Sequence, residues 1–370
     1  MKDKKTLFKK YSDVIFLFIA SRLVFLFIWF LAGNSFHLLT EFYDSDMYNN
    51  IAKNGYAKDY LTAFFPMIPL IIRFLSGYGL LFINQVCFFI SMVLLKKLTE
   101  EEYKSKNTLL VLFIFAFSPV AYFSLICYTE SIFFCLTLAA FYLFVKNKYP
   151  WLMGILIGLS VFTRNTGSIV FFAIFAGMVI RWFRKETKFT DIILAYVPAT
   201  LISVLFPIYL QVKFGNWKMF VDCQYDNWLK VRSNVINTYI ESFKMIFTDT
   251  YDFDIYTLTL FRVNEIITTL ITFFFLFLCI KEFKKLKKID AVSVVSVLIL
   301  IMSIVIFSST IHDPNTSAPT RSFYRYYTGM FPAFTLLYDL HPKFAAILAI
   351  ITAFSGCVIS GIFFKAAYFY

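Results

Sequence analysis

The feature that most limits the fold is a series of long apolar runs that carry almost no charge. The first, residues 13–32, has the length that crosses a hydrocarbon layer of about 30 Å as a helix rising 1.5 Å per residue. Only 16% of the 370 residues are charged and 59% are hydrophobic, so a water-soluble fold could not cover the apolar surface. The runs are continuous and do not alternate, which excludes a transmembrane β-barrel. The expected fold class is therefore an all-α polytopic membrane protein.

Taken in order, the runs predict eleven transmembrane helices with the N-terminus cytoplasmic. They fall near residues 13–32, 80–95, 108–124 and 131–145, two in 151–181, then 191–212, 263–280, 291–307, 326–340 and 344–364. The segment 63–75 is apolar but short and carries Pro66 and Pro69, so it reads as an interfacial or re-entrant helix. The run 151–181 is broken by Thr163-Arg164-Asn165-Thr166-Gly167, so two short helices meeting at a polar turn fit it best. The chain is read as one integral membrane domain, 1–370, with outer loops near 34–79, 213–261 and 308–325.

Charge supports this topology. The predicted cytoplasmic segments hold 21 of the 35 Lys and Arg with 10 acids, and the outer segments hold 13 with 13 acids. The net charge of +12 thus follows the positive-inside rule and does not describe a nucleic-acid surface. The first run is too long for a cleaved signal peptide, and Leu31-Ala32-Gly33-Asn34 is a weak cleavage site. The six cysteines have no paired spacing and indicate neither a zinc site nor a disulfide framework.

The polar groups at the membrane edge gather on the outer side in this topology: Asp44, Asp46, Glu130, Arg164, the stretch 214–228, Arg321 and Arg325. Ionisable groups at such depth are costly and mark function by default. A carboxylate there can take a proton from a hydroxyl, and a second one nearby can raise its pKa or help hold a divalent cation. By spacing alone, Asp44-Ser45-Asp46 also fits a solvated acidic loop. Glu130 after Tyr128-Thr129 fits a helix start, where the dipole favours an acid. Arg164 suits either a phosphate partner or a snorkelling anchor. Arg325, beside Tyr324, Tyr326 and Tyr327, suits either a phosphate clamp or an aromatic belt. His312 reads as an ordinary loop histidine.

One order of motifs resembles the PIG-V family, GPI mannosyltransferase II and its prokaryotic relatives. Tyr43-Asp44-x-Asp46-x-Tyr48-x-x-Ile51-Ala52-x-x-Gly55-Tyr56 is followed by Ala63-Phe64-Phe65-Pro66-x-x-Pro69-Leu70. Then come Ser118-Pro119-Val120-Ala121 with Tyr128-Thr129-Glu130-Ser131, and Thr163-Arg164-x-x-Gly167. Phe214-Gly215-Asn216-Trp217 with Gln224 and Trp228, and Arg325-Tyr326 with Phe331-Pro332, complete the order. Tyr43 stands where the family usually has tryptophan, and Trp217 where it often has proline.

The resemblance implies a glycosyltransferase of the C-type membrane fold, with a polyprenyl-phosphate sugar, mannose in the family, as donor. It implies an outer or lumenal active site and a single inverting displacement onto an acceptor hydroxyl of a glycan, lipid or protein. Asp44 is the implied catalytic base. Asp46, Tyr48, Glu130, Arg164, Gln224, Trp228, Arg325 and Tyr326 are the implied substrate contacts. No cofactor is required, since a lipid phosphate leaves readily, although Asp44 with Asp46 leaves a divalent metal open. The membrane would be the plasma membrane of a prokaryote or the endoplasmic reticulum of a eukaryote. The rival readings are a transporter or lipid-glycan flippase, which would need midplane ionisable groups and repeated halves, and a structural membrane protein.

Overall fold

The computed structural model describes residues 9–118, 121–248, 251, 253–284 and 290–365. Most of the basic N-terminal segment, Pro119 and Val120 of one motif, and residues 285–288 of the lysine run lie outside the described residues. Among the described residues the regular structure is helical apart from one short two-stranded sheet. Five of the described helices are long and apolar enough to cross a membrane: Ser12–Leu31, Met67–Glu102, Phe189–Phe214, Thr257–Phe283 and Pro342–Lys365. Shorter apolar helices are Pro150–Thr163, Gly167–Phe183 and Ala291–Phe307. The packing divides into two compact units, one of Met1–Lys53, Met67–Lys146 and Ala333–Tyr370, the other of Asn54–Pro66 and Asn147–Pro332.

The first unit contains α1 (Ser12–Leu31), α2 (Asp44–Asn54), α3 (Met67–Lys97), α4 (Thr108–Ala116) and α5 (Glu130–Lys146). Its α3 leaves helical geometry at Ser76 (φ 65°, ψ 172°), which separates the short proline-bearing piece from the expected span at 80–95. The expected span 108–124 is corrected. The α-helix ends at Ala116, and a 3₁₀ turn, Ala121–Leu125, follows. The sequence reason is Pro119, which has no N–H to donate and disfavours helix in the residue before it.

Carbonyls freed by such a break must find donors, because an apolar interior offers no water. Three buried or half-buried polar side chains supply them. Arg22 on α1 donates to the Ala121 carbonyl at 3.3 Å and to the Ser124 hydroxyl, with its guanidinium 4.1 Å from the Phe88 ring centroid. Asn84 on α3 donates to the carbonyls of Ile126 (2.9 Å) and Tyr128 (3.2 Å). Gln85 donates to the Ser124 carbonyl at 2.5 Å.

The second unit holds α6 (Pro150–Thr163), α7 (Gly167–Phe183), α8 (Phe189–Ser203), α9 (Leu205–Phe214) and α10 (Met219–Asp226). After β1 (Lys230–Arg232) come α11 (Val235–Phe247), α12 (Ile255–Phe283), α13 (Ala291–Phe307), β2 (Thr310–His312) and α14 (Phe323–Thr328). The strands β1 and β2 pair antiparallel with Lys230 opposite His312. Helices α6 and α8 meet so closely at Gly154 that a Cβ there would lie 1.9 Å from the Ala195 carbonyl oxygen. Asp290 caps α13 by accepting from the Ser293 amide at 3.0 Å, which fixes the start of the expected ninth span. Arg262 donates to the Met245 and Thr248 carbonyls and so closes the C-terminus of α11.

The expected span 326–340 is also corrected. It consists of α14, a short α15 (Pro332–Thr335) and a 3₁₀ turn, Leu336–Asp339, because Gly329 and Pro332 interrupt it. The last span is observed as α16 (Pro342–Lys365).

Replacing Asn84 by Leu is expected to remove two hydrogen bonds to backbone carbonyls of the segment 126–128 and to destabilise the protein by about 1–2 kcal/mol. Thermal unfolding of the detergent-solubilised variant and wild type at equal concentration measures it, and equal midpoints would contradict the clamp.

Candidate functional site

The first unit joins two of the sequence motifs. Tyr43 sits in the left-handed region (φ 49°), and the next residue, Asp44, opens α2. A non-glycine residue held there is strained, and such strain gathers at functional positions. The Asp44 amide donates to the Tyr128 hydroxyl at 3.3 Å, and the Ser45 hydroxyl to the Cys127 carbonyl at 3.4 Å. Tyr128 is buried and stacks on Phe123 at 5.2 Å. The acidic loop is thereby attached to the same segment, 126–128, that Asn84 holds from the other side. Asn49 donates to the Thr40 carbonyl at 2.8 Å and closes the loop behind α2.

Asp44 and Asp46 both stand in the first turn of α2, where the helix dipole favours negative charge. Asp44 is half-buried and Asp46 more exposed. Partial desolvation and then the Glu41 carboxylate raise the pKa of Asp46, against the pull of Lys53. Tyr48 lies on the buried face of α2 with Ile51 and Ala52. Glu130 is buried at the start of α5 and accepts from the Thr129 hydroxyl at 3.4 Å. Among the described residues, no group of three or more His, Cys, Asp or Glu is arranged to hold a metal.

The second unit joins the remaining motifs. The Arg164 guanidinium carbon lies 5.3 Å from the Tyr326 ring centroid, so the turn between α6 and α7 meets the segment that carries Arg325. That turn needs Gly167, since a Cβ there would come within 2.6 Å of the Ser160 and Val161 backbone. Tyr326 packs against Phe307 at 5.6 Å, and its neighbour Tyr327 is fully buried against Phe275. Trp228 donates from its indole to the Tyr60 carbonyl at 3.2 Å and meets Phe64 edge-on at 5.6 Å. It therefore holds the segment 54–66 within its own unit. Gln224 is half-buried on α10.

Of the expected contacts, Asp44, Asp46, Tyr48 and Glu130 belong to the first unit, and Arg164, Gln224, Trp228, Arg325 and Tyr326 to the second. Arg22, Asn84, Gln85 and Glu265 carry structural hydrogen bonds that the motifs did not indicate. Each is a polar residue inside an apolar run, which is the signal that could have found them. His312 lies opposite Lys230 on the small sheet. Burial, Lys230 and Arg321 push its pKa down to about 3.

An all-helical chain with several membrane-length helices and polar groups joined at loop and helix ends is the frame of an integral membrane protein. Residues 60–308, about two thirds of the chain, match the model of glycosyltransferase family 87, and the chain belongs to that family. No curated protein and no solved structure matches it. The matched region holds Glu130, Arg164, Gln224 and Trp228, whereas Asp44, Asp46, Tyr48, Arg325 and Tyr326 flank it.

The depressed pKa of His312 sets a pH dependence. Between its ordinary 6.5 and about 3 the unfolded chain binds the proton and the folded chain does not. Stability therefore falls as pH drops below 6.5. A His312→Asn variant should lose less of its melting temperature over that range, and an identical decline in both proteins would contradict the assignment.

Proposed function

We propose that this family 87 glycosyltransferase moves a sugar from a polyprenyl-phosphate donor to an acceptor hydroxyl at the outer or lumenal membrane face, with inversion. The PIG-V resemblance supports mannose as the sugar and a glycan, lipid or protein as acceptor. It also supports the C-type membrane fold, and the excess of Lys and Arg in the expected inner segments supports a cytoplasmic N-terminus. The observation that carries the reading is the bond from the Asp44 amide to the Tyr128 hydroxyl. It ties the acidic loop to Tyr128, two residues before Glu130, which supports reading the two motifs as parts of one site.

In the proposed reaction Asp44 orients the acceptor hydroxyl and takes its proton. The oxygen attacks the anomeric carbon from the face opposite the phosphate, the C–O bond to the phosphate breaks, and the lipid phosphate leaves with the electron pair. Arg325 and Arg164 are the cations assigned to that developing charge. The contact of Arg164 with Tyr326 supports giving them one task. Asp46, Tyr48, Glu130, Gln224 and Trp228 are assigned to sugar, acceptor or the walls that hold them. A divalent cation, if used, would sit on Asp44 and Asp46 and add electrostatic stabilisation.

The test is transfer of labelled mannose from its polyprenyl phosphate to a membrane extract by the purified protein. Asp44→Asn at equal protein level is expected to lose about 10²–10⁴-fold in rate, the usual worth of a positioned base. Full activity in Asp44→Asn would remove Asp44 from the role of base. Loss of wild-type activity with chelator would move Asp44 and Asp46 to a metal.

A further inference from the structure

Glu265 lies within the apolar helix α12 and is fully buried. Three hydrogen bonds converge on its two carboxyl oxygens. The Thr320 amide donates to Oε1 at 2.9 Å, the Thr320 hydroxyl to Oε2 at 2.9 Å, and the Asn264 side-chain amide to Oε1 at 3.0 Å. Burying a carboxylate is expensive unless donors meet it, and an apolar residue would fill the same place at lower cost. The arrangement must therefore serve something other than bulk stability.

Its geometry shows what. Two of the three donors belong to one residue, Thr320, in the loop that leads into α14. The Thr320 carbonyl then accepts from the Phe323 amide at 3.0 Å. Ser322, in left-handed geometry (φ 69°), caps α14 and accepts from the Arg325 and Tyr326 amides at 3.1 Å each. A short chain of fixed bonds thus runs from the Glu265 carboxylate to the backbone of Arg325 and Tyr326, and the Tyr326 ring receives the Arg164 guanidinium.

We propose that Glu265 is a positioning residue that clamps Thr320 and so sets the register of α14, fixing Arg325 and the Arg164–Tyr326 pair for the donor phosphate. The inference rests on the role given above to those arginines. Glu265 is given no part in the chemistry itself and acts through Thr320.

The experiment compares full-length wild type, Glu265→Ala, Glu265→Gln and Thr320→Val in lipid nanodiscs. Hydrogen exchange of residues 313–328 is read by mass spectrometry, and kcat and KM are measured with mannosyl polyprenyl phosphate. Glu265→Ala is expected to speed exchange at Thr320 and its neighbours and to raise donor KM about tenfold, with kcat changed much less. Glu265→Gln keeps an acceptor for the Thr320 amide and an N–H for its hydroxyl, so it should restore both readouts. Thr320→Val removes the hydroxyl bond alone and should move both in the same direction by less; it carries the test if Glu265→Ala does not fold. Unchanged exchange and KM in folded Glu265→Ala, or in Thr320→Val should the alanine variant not fold, would overturn the proposal. Equal loss of kcat in Glu265→Gln and Glu265→Ala would also overturn it, by giving the charge a direct part. The exchange arm needs no donor. A loosened loop in a protein whose wild type does not use the polyprenyl donor would refute the donor assignment, and with it the purpose given to the clamp.

Discussion

A backbone that leaves the helix in an apolar interior must have its carbonyls met by side chains. The break after Ala116 creates that demand, and Arg22, Asn84 and Gln85 meet it from α1 and α3. The result is more than local repair. The segment so held ends in Tyr128, whose hydroxyl receives the Asp44 amide. A helix that simply continued would satisfy its own carbonyls and would present no such segment to the acidic loop. The cost of interrupting the helix is offset by side chains that also give the candidate site a rigid support.

The second unit applies the same rule. The turn at Arg164 is compact because Gly167 has no Cβ to strike the end of α6. The loop before α14 is fixed because a buried carboxylate, Glu265, collects its donors. Arg262 closes the exposed carbonyls at the end of α11. In the last two cases a polar residue in an apolar helix serves backbone groups that water would otherwise serve. The two arginines proposed for the donor phosphate are then held by secondary contacts, Arg164 by the Tyr326 ring and Arg325 by the Ser322 cap. Membership in glycosyltransferase family 87 makes the protein a glycosyltransferase, and the proposed function gives these loops their part in it.

Much of this was legible in the residues. Apolar length located most of the helices, and the break at 163–167 was visible because Thr-Arg-Asn-Thr-Gly has no place inside an apolar helix. Two spans were misread, 108–124 and 326–340, because hydropathy is blind to Pro119 and to Gly329 with Pro332. The acidic loop stood out by its charge, but its support did not. Asn84 and Gln85 look like minor blemishes in an apolar run until the carbonyls they serve are known. Glu265 gives no stronger signal, for the same reason. Trp228, expected against substrate, spends its indole N–H on the Tyr60 carbonyl. A motif records that a residue matters without saying which neighbour it serves.

The central claim is that the sugar arrives on a polyprenyl phosphate. The most direct measurement offers the purified protein, in sealed vesicles with acceptor extract, the same labelled sugar in two forms: as polyprenyl phosphate and as nucleotide sugar. The account predicts label in product from the polyprenyl donor and none from the nucleotide sugar. Direct transfer from the nucleotide sugar, with the polyprenyl form inert, would contradict it.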